Sequence, residues 1–144
     1  MVLRVKHFYE LTRDELYAIL KLRVSVFVVE QQCPYQEADN LDQDAIHVWL
    51  EDGDGIEAYL RILDRGVENE HVAIGRVIAV KRRCGLGSRI LEDGIRAAKE
   101  LLDADKIYVE AQSYAREFYE KQGFRQVSDE FLLDGIPHIG MILE

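Results

Sequence analysis

The sequence predicts a single α/β domain, and three observations support this fold class. The chain has 144 residues, enough for one domain to bury a full core and too few for two. Hydrophobic residues make up 48% and charged residues 31% of the chain, a balance that excludes a disordered, collagen-like or low-complexity protein. Segments with strand periodicity alternate with segments of helical periodicity, without internal repeats. We therefore expect one domain over residues 1–144.

The N-terminal third combines a strand, a helix and a long loop. Residues 2–8 are compatible with a first strand. Thr12 is a favourable helix N-cap, and Glu15 stands where it completes a capping box, so a helix is expected to begin there. The helical pattern weakens over residues 24–29. Residues 31–43 are polar and acidic, which predicts a loop long enough to have a functional role.

Three strands are expected in the middle of the chain, at residues 45–50, 57–63 and 71–80. The first two flank the turn-forming sequence Asp-Gly-Asp-Gly at residues 52–55, which predicts a meander. The third is apolar on both faces, as a strand in the middle of a covered sheet would be. It leads directly into a basic, glycine-containing segment at residues 81–87.

The C-terminal half again alternates helices with strands. A helix follows Ser88, where apolar residues recur with helical spacing, and a strand is expected at residues 106–111. A short helix with apolar positions three and four residues apart comes next and ends at Gly123. Two final strands are expected at residues 124–131 and 138–143.

The charges are unevenly distributed along the chain. The net charge is −9, which argues against binding to nucleic acid. Between Glu70 and Glu92, however, there is no acidic residue, and five basic ones occur: Arg76, Lys81, Arg82, Arg83 and Arg89. Residues 30–44 contain no basic residue and five acidic ones: Glu30, Glu37, Asp39, Asp42 and Asp44. The first region favours an anionic ligand and the second a cationic one, unless the second is only a solvated loop of an acidic protein.

A strand, two glycines and a helix in succession predict a site for a phosphate-bearing ligand. Gly85 and Gly87 lack Cβ atoms, so backbone N–H groups can turn toward an anion, and the helix start adds unpaired N–H groups and the positive end of its dipole. No Gly-Lys-Ser/Thr follows, which excludes a Walker A motif, and Ile90 replaces the third glycine of a Rossmann fingerprint. The alternative is a tight turn that binds nothing, but the basic surroundings favour the phosphate site.

Two segments together resemble a known superfamily. Residues 82–87, Arg-Arg-Cys-Gly-Leu-Gly after a Val/Ile-rich strand, resemble the acetyl-CoA pyrophosphate motif of the GNAT N-acetyltransferases. Residues 115–124, Ala-Arg-Glu-Phe-Tyr-Glu-Lys-Gln-Gly-Phe, are similar to the A-x-x-F-Y-x-x-x-G-F segment of the same superfamily, at the expected distance downstream. The flanks at residues 26–36 and 134–141 resemble its small ElaA-like branch. The two motifs occur in the order and in the predicted structural context found in this superfamily, so together they make the resemblance specific.

The resemblance implies a fold and a reaction. The fold is a mixed, mostly antiparallel twisted sheet flanked by helices. The reaction is direct transfer of an acetyl group from acetyl-CoA, the co-substrate, to an amine acceptor within a ternary complex and without a covalent acyl-enzyme. The acceptor is a small molecule or a peptide, and the acidic segment would favour a cationic one. The sequence leaves the acceptor and the oligomeric state open, a homodimer included.

The resemblance also implies which residues bind the co-substrate. The strand before the glycines would offer backbone groups to the pantetheine arm, and the glycine turn would hold the pyrophosphate. Gln112 stands where many relatives carry Asn against the pantetheine, which keeps the amide and changes the reach of the side chain. The residues implied are Ile78, Ala79, Val80, Arg82, Arg83, Cys84, Gly85, Leu86, Gly87, Ser88, Arg89, Gln112 and Tyr119.

Catalysis requires an acid for the departing thiolate and a base for the amine. Tyr119 suits the acid role, because a phenol stays protonated at neutral pH. The alternative is a core aromatic beside Phe118, which helical spacing does not distinguish. The candidate bases are Glu30, Glu110, His47 and His138. We retain Glu30, beside the acidic loop, and His138, since histidine ordinarily titrates near neutral pH, although a helix-end carboxylate and a packing histidine are the alternatives.

Other sequence features bear on whether the protein binds a metal, whether its cysteines are oxidised and in which compartment it lies. Cys33 and Cys84 lack CxxC or His-paired spacing, which predicts free thiols in a reducing compartment. The four histidines lie far apart, without HxxxH or HExxH spacing, so no metal is expected. The sequence has no apolar run long enough to span a membrane, and its start lacks the apolar core of a secretion signal. We therefore expect a cytoplasmic protein without membrane contact.

Two other function classes remain open on the sequence alone. The first is a module that binds or senses CoA and has no transferase activity; it would bind CoA without turning over any amine. The second is a nicotinamide-dependent oxidoreductase built on the Gly85-x-Gly87 turn, which titration with nicotinamide cofactors would reveal.

Overall fold

The alternation of strands and helices produces one twisted sheet with helices on both faces. This computed structural model describes residues 1–81 and 84–144. The elements are β1 (Val2–His7), α1 (Arg13–Arg23), a π-helical segment (Val24–Glu30), β2 (Ala45–Asp52), β3 (Gly55–Leu63), β4 (Val72–Ala79), α2 (Leu86–Leu102), β5 (Ile107–Gln112), α3 (Arg116–Glu120), β6 (Arg125–Gln126), β7 (Phe131–Leu133) and β8 (Ile136–Leu143).

The sheet is mixed and mostly antiparallel, which confirms the predicted fold class. Its strand order is β1-β2-β3-β4-β5-β8-β6, and β7 pairs with β8. Only β4 and β5 are parallel among the paired strands of the described residues. The predicted meander is β2–β3–β4, and β4 lies in the middle of the sheet as its two apolar faces indicate.

The N-terminal helix begins where its capping box predicts. Thr12 Oγ1 accepts a hydrogen bond from the Glu15 N–H at 3.0 Å, and Glu15 Oε1 accepts one from the Thr12 N–H at 2.9 Å. After Arg23 the chain stays helical but widens into the π-helical segment, where the sequence pattern only weakens. Single π-turns are rare and are frequently found at functional sites. This one ends beside the cleft described below.

Two of the three hydrophobic clusters among the described residues cover the two faces of the sheet. The larger lies under α2 and includes Leu60, Ile90 and Leu91, all fully buried. The smaller lies under α1, where Ile19 packs with side chains from the meander. Helix α2 approaches the sheet closely at Gly94, where a Cβ atom would lie 2.5 Å from Leu60 Cδ2.

The parallel strands β4 and β5 separate almost as soon as they meet. They pair only at Val72 with Ile107 and at Ala73 with Tyr108. Just beyond, Arg76 has a left-handed φ of 55°, and the register between β3 and β4 shifts, as in a β-bulge. The bulge bends β4 away from β5, and a cleft opens between them.

The prediction of one strand over residues 124–131 is wrong. The chain forms the short strands β6 and β7 instead, because Ser128 interrupts the ladder. Its Oγ accepts the Gly140 N–H at 2.8 Å, a bond that a strand backbone would otherwise take. The turn at Asp134 and Gly135 does connect β7 to β8, with φ angles of 51° and 77° that suit a tight hairpin.

Among the helices that the structure describes, none combines the length and the apolar character that crossing a bilayer demands.

Candidate functional site

The cleft between β4 and β5 is the main candidate site. Its volume is about 800 Å³, which suits a small-molecule ligand. The two strands form its walls, together with the end of the π-helical segment, the start of α2, α3, and the β7–β8 turn. One side thus faces the glycine turn, and the other faces the polar residues of β5 and β8.

The start of α2 supplies the anion-binding side of the cleft. Gly85 caps the helix with a left-handed φ of 80°, and nothing lies within 4 Å of the position that its Cβ would take. Gly85, Gly87 and Ser88 line the cleft, and the first turn of α2 contains no acidic residue. Unpaired N–H groups and the helix dipole therefore favour an anion here.

The other residues predicted around the glycines lie differently. Arg82 and Arg83 fall outside the described residues. Leu86 is buried in the core, so only its backbone is left for a ligand. Cys84 and Arg89 are exposed outside the cleft wall, with Cys84 Sγ donating to the Lys81 carbonyl at 3.0 Å.

The backbone of β4 limits which groups can reach a ligand. The Val80 N–H donates to the Glu57 carbonyl of β3 at 2.9 Å. Because backbone groups alternate along an antiparallel strand, those of Ile78 point the same way, and those of Ala79 point toward the cleft. Of these three predicted residues, Ala79 presents its backbone to the gap that β5 leaves.

Tyr119 belongs to the core and to the cleft at once. Its side chain is only 8% exposed and makes edge contacts with Phe118 and Phe124, at ring-centre distances of 5.1 and 5.7 Å. It nevertheless lines the cleft, and its hydroxyl has no hydrogen-bond partner among the described residues. Burial, with a smaller contribution from Tyr114, raises the pKa of Tyr119 well above its ordinary value. The hydroxyl is therefore a proton donor at neutral pH.

His138 presents one ring nitrogen to the cleft. The ring is 8% exposed, it stacks on Phe131, and its Nδ1 lies 2.7 Å from the Ile136 carbonyl oxygen. A carbonyl only accepts hydrogen bonds, so in the neutral ring Nδ1 carries the proton and Nε2 carries the lone pair. Nε2 has no hydrogen-bond partner within the described part of the chain, and His138 lines the cleft.

The other candidate bases differ in whether they reach the cleft. Glu30 is exposed and lines the cleft at the end of the π-helical segment. Glu110 also lines the cleft and is half-buried; burial first and the charge of Glu68 second raise its pKa, whereas His138 lowers it. His47 is wrong as a candidate, because it is fully buried between the Tyr59 hydroxyl and the Asp42 carbonyl and does not line the cleft.

The acidic loop is an internal ion-pair network rather than a solvated surface. Three arginines pair with three of its carboxylates: Arg23, Arg61 and Arg76 with Glu37, Asp39 and Asp42. Glu37 Oε1, for example, accepts from Arg23 Nε and from Arg76 Nε, each at 2.7 Å. These charges cancel, so the loop does not supply the predicted attraction for a cation, and Arg76 is not available to a pyrophosphate.

The sequence indicates Glu110 and Gln112 as single candidates, but not the acidic and polar wall that they form with other residues on the far side of the cleft. Tyr108, Glu110 and Gln112 share one face of β5, and Glu68 and Asp134 line the cleft beside them. The alternation of these three with the apolar Ile-Val-Ala positions of β5 could have revealed the polar face. Gln112 Nε2 lies 3.4 Å from Gln31 Oε1.

Both cysteines are free, and Cys33 lies in the cleft wall. The sequence indicates only Cys84 near the co-substrate, so this is a correction. Cys33 Sγ donates to the Asp134 carbonyl at 3.4 Å. Within residues 1–81 and 84–144, no group of three or more His, Cys, Asp and Glu side chains is placed to hold a metal ion.

Comparison with known proteins gives consistent matches over nearly the whole chain. The model of the acetyltransferase (GNAT) domain family matches residues 13–144. ElaA of Escherichia coli K12 is 39% identical over 142 residues, which cover 96% of this chain and 93% of ElaA. A crystal structure of an acyl-CoA N-acyltransferase from Pseudomonas aeruginosa has a TM-score of 0.92 and 41% identity, covering 100% of both chains. The crystal structure of E. coli ElaA also has a TM-score of 0.92, with 37% identity over 99% of both chains.

Proposed function

The chain belongs to the GNAT acetyltransferase family, and from that membership we propose that it is an acetyl-CoA-dependent N-acetyltransferase acting directly on an amine. One observation carries the proposal. The cleft at the divergence of β4 and β5 brings together a glycine-capped helix start, the free hydroxyl of Tyr119 and the free Nε2 of His138. These are an anion site, a proton donor and a proton acceptor, the groups that acyl transfer from a thioester to an amine requires.

The co-substrate would bind along the side formed by α2 and β4. The N–H groups at the start of α2 would hold the pyrophosphate, with Arg82 and Arg83 as countercharges from outside the described residues. The exposed backbone of Ala79 would bind the pantetheine arm near the thioester, in place of the missing strand partner.

The proton steps follow from two atoms that have no hydrogen-bond partner among the described residues, the Tyr119 hydroxyl and His138 Nε2. His138 Nε2 takes a proton from the acceptor amine, whose nitrogen forms a bond to the acetyl carbon. The carbon–sulfur bond then breaks, and Tyr119 donates its hydroxyl proton to the departing thiolate. The acetyl group passes directly to the nitrogen without a covalent acyl-enzyme. His138 then holds one extra proton and Tyr119 lacks one, and return of a proton from His138 to Tyr119 through solvent restores both side chains.

Glu30 remains the second candidate for the base. A comparison of His138→Gln with Glu30→Gln separates the two. If His138 is the base, only His138→Gln removes the decrease of kcat/KM at acid pH and lowers it about 100-fold or more. The reverse pattern would assign the base to Glu30.

Direct transfer predicts that neither thiol is essential. Cys33→Ala and Cys84→Ala should each retain acetyl transfer. Loss of transfer with retained CoA binding in either variant would indicate an acyl-cysteine intermediate instead.

The experiment that tests the proposal is a screen of pooled amines and peptides, with release of free CoA from acetyl-CoA as the readout. We expect release that depends on the amine. Tight CoA binding without release for a broad panel would support the alternative, a CoA-binding or CoA-sensing module. The cytoplasmic location, the acceptor and the oligomeric state stay predictions.

A further inference from the structure

We propose that the acceptor is an amine that is dicationic in solution: its reacting nitrogen lies at His138 and attacks after losing its ammonium proton to solvent, and its second, protonated nitrogen is bound by Glu110 and Glu68. This inference rests on the proposed function, because His138 marks the place of the reacting amine. It names the substrate class of the same cleft.

The charge of the cleft wall favours a cation. Of the basic residues that the structure describes in the wall, Arg61 and Arg76 are paired with the acidic loop, and Lys81 lies at the other side, directly before the glycine turn. Glu68, Glu110 and Asp134 line the wall and form no ion pair with any described residue. A ligand with two positive charges would therefore meet carboxylates that are not already neutralised.

The buried histidine is an independent sign of a ligand. His138 is more than nine-tenths buried, its Nδ1 is held by a backbone carbonyl, and its Nε2 faces the cleft without a described partner. Because the rest of the ring is buried and held in place, this unpaired nitrogen marks a position in the cleft wall where a ligand could form a hydrogen bond.

Strand register relates His138 to Glu110. His138 lies opposite Gln112, and Gly140 lies opposite Glu110, so the two side chains are one two-residue step apart on the same face. Because they lie diagonally on adjacent strands, the two residues are roughly 7–8 Å apart, a distance that an extended chain of about four or five methylene groups spans.

The surroundings of Glu110 suit an alkylammonium group. The ring of Tyr108 lies on the same face, and Gly140 makes room for it, since a Cβ there would lie 2.9 Å from the Tyr108 hydroxyl. Burial first and the charge of Glu68 second raise the pKa of Glu110, whereas His138 lowers it. A bound cation between the two carboxylates would relieve their repulsion.

The test compares amines matched in length. Butane-1,4-diamine and pentane-1,5-diamine are compared with butylamine and pentylamine, using kcat/KM from CoA release. We expect the diamines to be preferred about tenfold or more, the value of one charge-assisted hydrogen bond, with most of the difference in KM. Equal kcat/KM values for the matched pairs would overturn the inference and leave the transferase proposal standing.

Two variants and one control assign the preference to these carboxylates. Glu110→Gln keeps the shape of the side chain and should bring the ratio of diamine to monoamine close to one, and Glu68→Gln should reduce it in part. Glu70→Gln removes an exposed carboxylate outside the cleft wall and should leave the ratio unchanged. An undiminished ratio in both Glu110→Gln and Glu68→Gln contradicts the assignment.

The failure of the transferase proposal would be recognised separately. If no amine in the panel releases CoA, butane-1,4-diamine is titrated calorimetrically into CoA-saturated protein. Binding that is weakened about tenfold in Glu110→Gln would support the dication site without catalysis. Absent or unchanged binding would overturn the inference as well.

Discussion

Tyr119 shows why a single residue position can be predicted while its role is not. Helical spacing and the family motif place it beside Phe118, but the spacing is the same for a core aromatic and for a catalytic one. In the structure the ring packs in the core and the residue also lines the cleft, so the position is compatible with the proposed acid role. Its burial depends on Phe124 and on the β4–β5 divergence, which local sequence does not encode.

The substitution Tyr119→Phe tests the acid role. We expect turnover to fall about 100-fold or more, because the departing thiolate loses its proton donor. Affinity for acetyl-CoA and the free energy of unfolding should change little, because the hydroxyl has no described hydrogen-bond partner. Tyr17→Phe, at a tyrosine that is 72% exposed and outside the cleft, is the matched control. Undiminished turnover of Tyr119→Phe would remove this residue from the chemistry.

His47 and His138 look alike in the sequence, as single histidines within predicted strand regions. Only the pairing of their neighbours separates them. The β2–β3 pair buries His47 against Tyr59, whereas the β7–β8 hairpin places His138 in the cleft. A strand register cannot be read from one strand alone, so the sequence leaves both candidates open.

At the scale of elements, the sequence predicts best those boundaries whose signal lies within a few neighbouring residues. The capping box predicts the start of α1 because both of its bonds lie within four residues. The prediction over residues 124–131 is wrong because the interruption depends on Gly140, twelve residues beyond Ser128. The sequence does not predict the bulge at Arg76 either. Its backbone is left-handed, and its side chain pairs with Glu37 in a distant loop.

Helix α2 approaches the sheet so closely that Gly94 is required. In Gly94→Ala the new Cβ would overlap the fully buried Leu60, so we expect a loss of about 1–2 kcal/mol in the free energy of unfolding, despite the higher helix propensity of alanine. Urea denaturation measures this loss. Gly53→Ala, with nothing within 4 Å of its Cβ, is the control. A Gly94→Ala variant at least as stable as the unsubstituted protein would contradict the close approach.

For the whole molecule, folding changes the meaning of the charge pattern. The sequence indicates a basic region and an acidic region as separate features. In the fold, Arg76 of the first pairs with Glu37 and Asp39 of the second, across more than thirty-five residues of sequence. Glu68 and Glu110, which lie outside the acidic segment, add carboxylates to the cleft wall, where Glu30 is the member of that segment that also lines it. Net charge alone could not show this, because it contains no topology.

The ion-pair network should make stability depend on acid pH. Burial acts to raise the pKa of Asp39, but the hydrogen bond and charge of Arg61 outweigh it and lower the pKa from 3.8 to about 2. Because the pKa of Asp39 is lowered in the folded state, its carboxylate stabilises the protein at pH values above its ordinary pKa. This stabilisation is lost as the pH falls toward about 2. The free energy of unfolding of Asp39→Asn, measured by denaturation from about pH 2 to pH 3.8, should depend less on pH than that of the unsubstituted protein. Asp129→Asn, at an exposed carboxylate, should not. If the free energy of unfolding of Asp39→Asn changed with pH as steeply as that of the unsubstituted protein, the result would contradict this account.

The central claim is that the cleft between β4 and β5 binds acetyl-CoA through the start of α2. Calorimetric titration of the protein with acetyl-CoA at low ionic strength tests it most directly, alongside Arg83→Glu. We predict saturable binding of one acetyl-CoA per chain, and weaker binding with a smaller salt dependence in the variant. The absence of binding to the unsubstituted protein would contradict the account.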